Sequence, residues 1–188
     1  MARNPVIIDI AWDTINHLIH DWQTTPFLWE NELDIQIELA SRLQRILKEL
    51  GRGEIEANYK SAVKGYEKQL WSRVKCEPGI KYKYSDGKSY TCHPDLIIWD
   101  DIKDPDIPPD QWSDWPILFA LELKYFALPD TENWDIEKLK YLMDQKKIKY
   151  GCWLNIRRER TGNGNGIQWE KVQRNLWSCN AYLPAMDF

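Results

Sequence analysis

Residues 117–125, ILFALELKY, constrain the fold of this 188-residue chain more than any other segment. A nearly continuous apolar run of this length is typical of a strand that is covered on both faces, as in a sheet with helices packed on it. Glu122 and Lys124 lie two residues apart within the run, so their side chains point to the same face. The segment therefore predicts a buried strand that carries an acid and a base side by side.

A glutamate and a lysine in a buried strand cost free energy unless they pair or bind a charged group. One interpretation is that the strand ends there and both side chains reach solvent, as an ion pair worth about 0–1 kcal/mol. A second apolar run, 96–99, directly follows Pro94 and Asp95. Two carboxylates that converge in the middle of a sheet beside an ammonium suit Mg²⁺, which binds through one or two carboxylates plus substrate phosphate.

Helical periodicity predicts three helices, at residues 10–22, 27–50 and 135–147. The second of these carries an apolar stripe and ends at Gly51 and Gly53. The stripe consists of Leu33, Ile37, Ala40, Leu43, Leu47 and Leu50. Together with the strands below, the helices predict an α/β fold in which helices pack on a mixed sheet.

Strand-like patterns follow the second helix. They lie at residues 73–76, 80–84, 88–92, 96–99, 117–125 and 152–156. Ser85-Asp86-Gly87 predicts a hairpin turn between the second and third of them. Residues 54–71 are ambiguous, because 55–59 alternate like a strand whereas 62–70 fit a short helix. The Pro- and Asp-rich stretch 100–116 predicts a surface loop, and 167–183 a strand or irregular structure.

The residues Pro94-Asp95 and Glu122-Leu123-Lys124 resemble the signature of the PD-(D/E)XK nuclease superfamily, which has the restriction-endonuclease-like fold. The resemblance covers residues 27–156 and implies an αβββαβ core. Its mixed central sheet of about four strands would be flanked by helices, with an extra N-terminal helix at 10–22. The chain length favours one domain over 1–188, in which the basic segment 157–188 is a C-terminal extension outside the resemblance.

The resemblance implies a catalytic site as well. Asp95 and Glu122 would bind Mg²⁺, with Mn²⁺ as a substitute, and Lys124 would position the attacking water. Family members often add an acid from the first core helix, and the match here is Glu32, whereas Glu38 lies on the outer face. By the same resemblance Gln36, one turn beyond Glu32, would line the site.

Charge is distributed unevenly along the chain. The net charge is −4, yet residues 138–174 hold ten Lys and Arg against three acids. This asymmetry is typical of a polyanion-binding face, although a solvated helix face and loop would produce it too. The residues expected to hold a nucleic-acid backbone are Lys138, Lys146, Lys147, Lys149, Arg157, Arg158 and Arg160. Of the eleven tryptophans, Trp112 and Trp115 are the candidates for contact with a partner, and His93 is expected to be structural.

These observations predict a metal-dependent nuclease that acts on DNA, with RNA as an alternative substrate. A homodimer with one site in each subunit would cut both strands of a duplex together. The rival interpretations are an inactive nucleic-acid-binding module of the same fold and a partner-binding protein with an incidental Glu122–Lys124 pair. Composition is that of a folded domain, and no apolar run reaches the roughly 18–20 residues of a membrane span. The four cysteines show no zinc-type spacing, so we expect reduced thiols and a cytoplasmic protein with no membrane partner.

Overall fold

A computed structural model describes residues 4–25, 29–61, 65–84, 86–102, 115–125, 132–156 and 172–178. The described residues form three helices and nine strands. The helices are α1 Asn4–Thr24, α2 Glu32–Glu49 and α3 Glu132–Asp144. The strands are β1 Glu54–Ser61, β2 Gly65–Ser72, β3 Val74–Cys76, β4 Ile80–Lys83, β5 Ser89–Cys92, β6 Leu96–Trp99, β7 Ile117–Tyr125, β8 Ile148–Ile156 and β9 Val172–Ser178.

The central sheet has five strands in the order β3-β6-β7-β8-β9. Strands β7 and β8 are parallel and are joined through α3, whereas the other neighbouring pairs are antiparallel. The fold is thus the expected mixed α/β arrangement. The sheet gains a fifth strand because β9, in the expected extension, pairs with β8 from Ile156 to Tyr150.

Helices cover both faces of this sheet. On one face α1 and α2 pack against β7, with the Trp12 and Phe119 rings 5.3 Å apart in an edge-to-face contact. On the other face α3 and the β4–β5 hairpin enclose a second core that includes Leu139 and Trp153. Burial on both faces explains why β7 is apolar along most of its length.

The second helix begins later than expected and presents a different side. It starts at Glu32 rather than at residue 27, because the Asn31 side chain accepts a hydrogen bond from Asp34 N at 3.0 Å and caps the helix. Its buried residues are Ile35, Gln36, Leu39, Leu43 and Leu47. Leu33, Ile37 and Leu50 of the predicted stripe are more than half exposed. That stripe prediction was wrong at these three positions.

Two small hairpins complete the described fold. The β4–β5 hairpin is the expected one, and its turn contains Gly87 at φ 79°. The β1–β2 hairpin replaces the short helix considered for 62–70, since Gly65–Ser72 pairs with β1. None of the helices within the described ranges is long and apolar enough to cross a membrane.

Candidate functional site: four acids and two lysines at one end of the sheet

Asp95 and Glu122 are brought together by the antiparallel pairing of β6 with β7. The pairing of Leu96 with Leu121 places Asp95, which directly precedes β6, next to the C-terminal half of β7. The Asp95 Oδ2 atom accepts a hydrogen bond from the Leu123 backbone N at 2.5 Å. Burial raises the pKa of Asp95, although the Leu123 N–H and the Lys124 ammonium act in the opposite direction.

Glu122 is the most deeply buried acid of the site, with 1% of its surface exposed. The Lys138 Nζ atom lies 2.7 Å from Glu122 Oε1, so the Lys138 ammonium is a close counterion of this buried carboxylate. Burial raises the pKa of Glu122 to about 8, with Lys138 opposing the rise and Asp95 adding to it. The proposal that Glu122 simply reaches solvent is therefore wrong.

Lys124 lies among three carboxylates. Its Nζ atom is 3.5 Å from Asp135 Oδ2, 3.6 Å from Glu32 Oε1 and 3.9 Å from Asp95 Oδ2. Burial would lower the pKa of Lys124, but these acids outweigh it and raise the pKa above its usual value. Lys124 is thus protonated at neutral pH, and its Nζ donates a hydrogen bond to the Leu123 carbonyl at 2.9 Å.

Glu32 is held at the edge of this group by the start of α2. Glu32 is the first residue of the helix, and its Oε2 atom accepts a hydrogen bond from the Tyr125 backbone N at 3.2 Å. The Tyr125 hydroxyl in turn donates to the Trp29 carbonyl at 3.2 Å, which ties the end of β7 to the start of α2. The structure therefore brings Asp95, Glu122, Lys124 and Glu32 together.

Asp135 and Lys138 of α3 complete the site, and neither residue was expected there from the sequence. Lys138 Nζ is 3.2 Å from Asp135 Oδ1 and contacts Glu122, so it faces the protein interior rather than a nucleic-acid backbone. The signal was present in the sequence. Asp135 and Lys138 precede the buried Leu139 and Leu142 at helical spacing, so all four share the core-facing side of α3.

The other expected backbone-binding residues do not surround the site. Lys146 is exposed and Lys147 half-buried after the C-terminal end of α3, which lies roughly 14 Å along the helix from Asp135. Lys149 forms an ion pair with Asp100, which follows the opposite end of β6 from Asp95. Arg157, Arg158 and Arg160 lie outside the described residues.

Of the aromatic candidates, Trp115 is buried against the rings of Trp71 and Trp99, so it is a core residue and not a free contact surface. Trp112 lies outside the described residues. His93 is exposed, and its Nδ1 atom is 3.3 Å from the Glu77 carbonyl oxygen. This contact agrees with the structural role that we expected for His93.

A separate depression of about 510 Å³ lies between α1 and α2. Glu38 lines it and pairs with Arg42 at 2.7 Å, and Arg42 also pairs with Asp21 at 2.5 Å. Because Glu38 faces this outer surface, it is not part of the acidic site.

The donor set can be compared with what Mg²⁺ requires. Across the described ranges, no three His, Cys, Asp or Glu side chains are arranged as a preformed metal cage. Mg²⁺ is ordinarily held by one or two carboxylates together with waters and substrate phosphate, so a cage is not required. The buried Glu122 carboxylate beside the half-buried Asp95 carboxylate fits this smaller kind of site.

Gln36 lies beside Asp95, where its side chain can hold the backbone in position. Its buried Nε2 atom donates to the Asp95 carbonyl oxygen at 2.5 Å. We expect Gln36→Leu to leave this carbonyl without its side-chain partner, at a cost of about 1–3 kcal/mol of unfolding free energy. We also expect about a tenfold loss in the cleavage activity proposed below, because Asp95 is held less firmly. Urea denaturation and initial cleavage rates measure the two effects, and unchanged activity in a folded variant would contradict the positioning role.

The site thus joins the buried Glu122, the half-buried Asp95, two further carboxylates and two lysines at the end of β7 where Lys124 and Tyr125 lie. Such a group can bind a hard cation and direct an N–H donor at a nearby anion. No protein-family model, curated protein or solved structure matched this chain.

Proposed function

We propose that this protein is a metal-dependent nuclease that hydrolyses phosphodiester bonds, with DNA as the first substrate to test. The observation that carries the proposal is Glu122, an almost fully buried acid that lies beside Asp95 and whose pKa is raised by burial to about 8. A buried carboxylate is costly, and cation binding by the pair would explain why the chain keeps it.

In this proposal the Asp95 and Glu122 carboxylates hold Mg²⁺. When bound, the ion polarises a phosphoryl oxygen and lowers the pKa of a water. The Leu123 N–H fixes the Asp95 carboxylate, and the Gln36 amide fixes its backbone. Lys124, charged at neutral pH, donates to the attacking water or to a phosphate oxygen, and Glu32 and Asp135 keep its ammonium in place.

The order of elements supports the restriction-endonuclease-like core as part of this proposal. Helix α2 is followed by β3, β6, β7, α3 and β8, which is the αβββαβ order once the two hairpins are set aside. The proposed catalytic residues come from α2 and from the β6–β7 pair, as the family resemblance implies. This agreement of order and residue positions adds to the argument from Glu122.

A nucleic-acid-binding module without activity is the second candidate. It is favoured by the ion pairs in the site, since Lys124 and Lys138 between them contact all four acids. In that case the lysines would be permanent counterions, and no divalent ion would enter. Cleavage and divalent-ion binding separate the two candidates.

The test is a cleavage assay on supercoiled, linear, single-stranded and branched DNA and on RNA, with Mg²⁺, Mn²⁺ or EDTA. We expect cutting that requires the metal and is lost in Asp95→Asn. Glu38→Gln is the matched control, because it alters an acid–base pair on the outer face of α2, and it should cut like the wild type. If no substrate is cut and neither metal changes the melting temperature, the nuclease proposal is wrong.

A further inference from the structure

A group of aromatic rings lies on the surface formed by the β4–β5 hairpin and α3. Tyr84 is at its centre, with ring centroids 4.7 Å from Tyr141, 6.0 Å from Tyr90 and 6.1 Å from Trp134. Tyr82 extends the group into the core, where its ring is buried at 6.0 Å from that of Tyr90. We call these five residues the aromatic surface.

Two rings of the aromatic surface are open to solvent, with Trp134 57% and Tyr90 42% exposed. The other large apolar side chains found exposed in the described part of the chain are aliphatic, namely Leu33, Ile37, Leu50 and Leu70. A solvent-facing tryptophan in contact with a run of tyrosines is unusual, and clustered exposed apolar groups commonly mark a binding surface.

The aromatic surface is continuous with the acidic site. Trp134, Lys138 and Tyr141 follow one another at i, i+4 and i+7 on α3, so they share one side of the helix. Lys138 is the residue that contacts Glu122. The rings therefore begin within about one helical turn of the proposed catalytic group.

The hairpin that carries three of these rings is fixed to α3. The Gln145 side chain accepts a hydrogen bond from Lys83 N at 2.9 Å and donates another to the Lys83 carbonyl. Tyr84 N also donates to the Lys88 carbonyl at 3.0 Å, which closes the turn. The surface is consequently formed in advance, so a ligand would lose little free energy in ordering it.

The charges beside the rings are mixed. The β4–β5 hairpin carries exposed Lys81, Lys83 and Lys88, but Lys81 and Lys83 alternate with Tyr82 and so point to the other face of the strand. Asp86 accepts a hydrogen bond from the Tyr90 hydroxyl, and Glu137 of α3 adds to the effect of Tyr141 in raising the pKa of Tyr84. The ring faces rather than the charges therefore favour nucleic-acid bases, since each base stacked on an aromatic side chain contributes about 1–3 kcal/mol in single-strand binding.

We propose that the aromatic surface binds the unpaired bases of a single-stranded nucleic acid and so delivers the adjoining phosphodiester to the acidic site. This inference rests on the proposed nuclease function and narrows its substrate class to single strands or single-stranded segments. In a duplex the base faces are already stacked on each other, so Trp134 and Tyr90 would have nothing to bind. The same rings could bind a protein partner instead. In that case the affinity of the protein for an oligonucleotide would not depend on whether the oligonucleotide carries bases.

The test measures binding in EDTA, so it does not depend on cleavage. Fluorescence anisotropy would compare a labelled oligothymidylate, an oligouridylate and an abasic oligonucleotide of the same length, which keeps the phosphates and lacks the bases. We expect Trp134→Ala to raise the Kd for the oligonucleotides with bases about tenfold or more, in line with the loss of one stacked base. Its Kd for the abasic strand should change by less than about twofold.

Two further variants serve as controls. Trp134→Phe keeps a ring and should restore most of the affinity, whereas Leu50→Ala removes an equally exposed side chain, at the far end of α2 from Glu32, and should change nothing. Equal losses on the base-containing and abasic strands, or none on either, would overturn the inference even if the protein cleaves DNA. If Trp134 contributes to base-dependent binding but the protein cuts no substrate in the cleavage assay, the proposed binding surface is correct and the proposed nuclease function is wrong.

Discussion

Glu122→Gln should make the metal-free protein more stable at neutral and alkaline pH while abolishing metal-dependent cleavage. Glu122 is buried, and its pKa is raised from the ordinary 4.5 to about 8, so its ionisation in the fold costs free energy. Glutamine has nearly the same shape and no ionisation cost. Lys138 would keep Asp135, at 3.2 Å, as its partner. A gain in stability that coincides with loss of activity is typical of a residue kept for function.

The dependence of the free energy of unfolding on pH shows why Glu122→Gln should be stabilising. Between pH 4.5 and about 8 the folded protein retains the Glu122 proton that the unfolded chain has released. The folded state then binds more protons, so the free energy of unfolding falls as the pH rises, by at most about 1.4 kcal/mol per pH unit for one group. Burial raises the pKa of Asp95 as well, which adds to the fall. In Glu122→Gln the slope should be clearly smaller.

Urea denaturation in EDTA at several pH values from 5 to 8.5 measures both slopes, and repeating it with Mg²⁺ tests the ion's contribution. Mg²⁺ should stabilise the wild type increasingly as the pH rises and should not stabilise the variant. If Glu122–Lys138 is instead only a structural ion pair, Glu122→Gln will destabilise the protein at pH 8 and Mg²⁺ will have no effect on either protein. That result would contradict the assignment of Glu122.

Much of the central sheet could be predicted because its strongest signals are local. Residues 117–125 and 96–99 form strands with the expected bounds, since continuous apolar runs have few other solutions in a folded domain. The Asp86-Gly87 turn was equally predictable, because Gly87 supplies the positive φ that the hairpin requires. The positions of Asp95, Glu122 and Lys124 followed from these strands.

Other features depend on tertiary contacts that no local pattern records. The outer positions Leu33 and Ile37 of α2 are as apolar as the inner ones, so periodicity alone could not choose the side on which α1 and the sheet would pack. Charge counting assigned Lys138 to a surface with Lys146 and Lys149. Its position depends instead on the packing of α3 against β8, the neighbour of β7, which places the Lys138 ammonium on Glu122.

Substitution of Lys124 and substitution of Lys138 should reduce the activity in different ways. Lys124 contacts Glu32, Asp95 and Asp135 and is charged, so its loss removes a donor that acts on the reacting groups. Lys138 contacts the buried Glu122 and opposes the rise in its pKa. Removal of Lys138 would therefore raise the pKa of Glu122 further, and the carboxylate would be protonated over more of the working pH range.

We accordingly expect Lys124→Ala to lower kcat about 100- to 1,000-fold at every pH and metal concentration, the usual cost of losing one transition-state donor. Lys138→Met should lose activity at neutral pH and regain much of it as the pH or the Mg²⁺ concentration rises, because both favour the ionised Glu122 that binds metal. The measurement is kcat between pH 6 and 9.5 at low and high Mg²⁺, with thermal unfolding to confirm that each variant is folded. Recovery of Lys124→Ala at high pH, or a pH-independent loss in Lys138→Met, would show that the two roles are assigned wrongly. The difference matters because the sequence signature contains Lys124 but not Lys138, whereas in the folded protein the ionisation of Glu122 depends on Lys138.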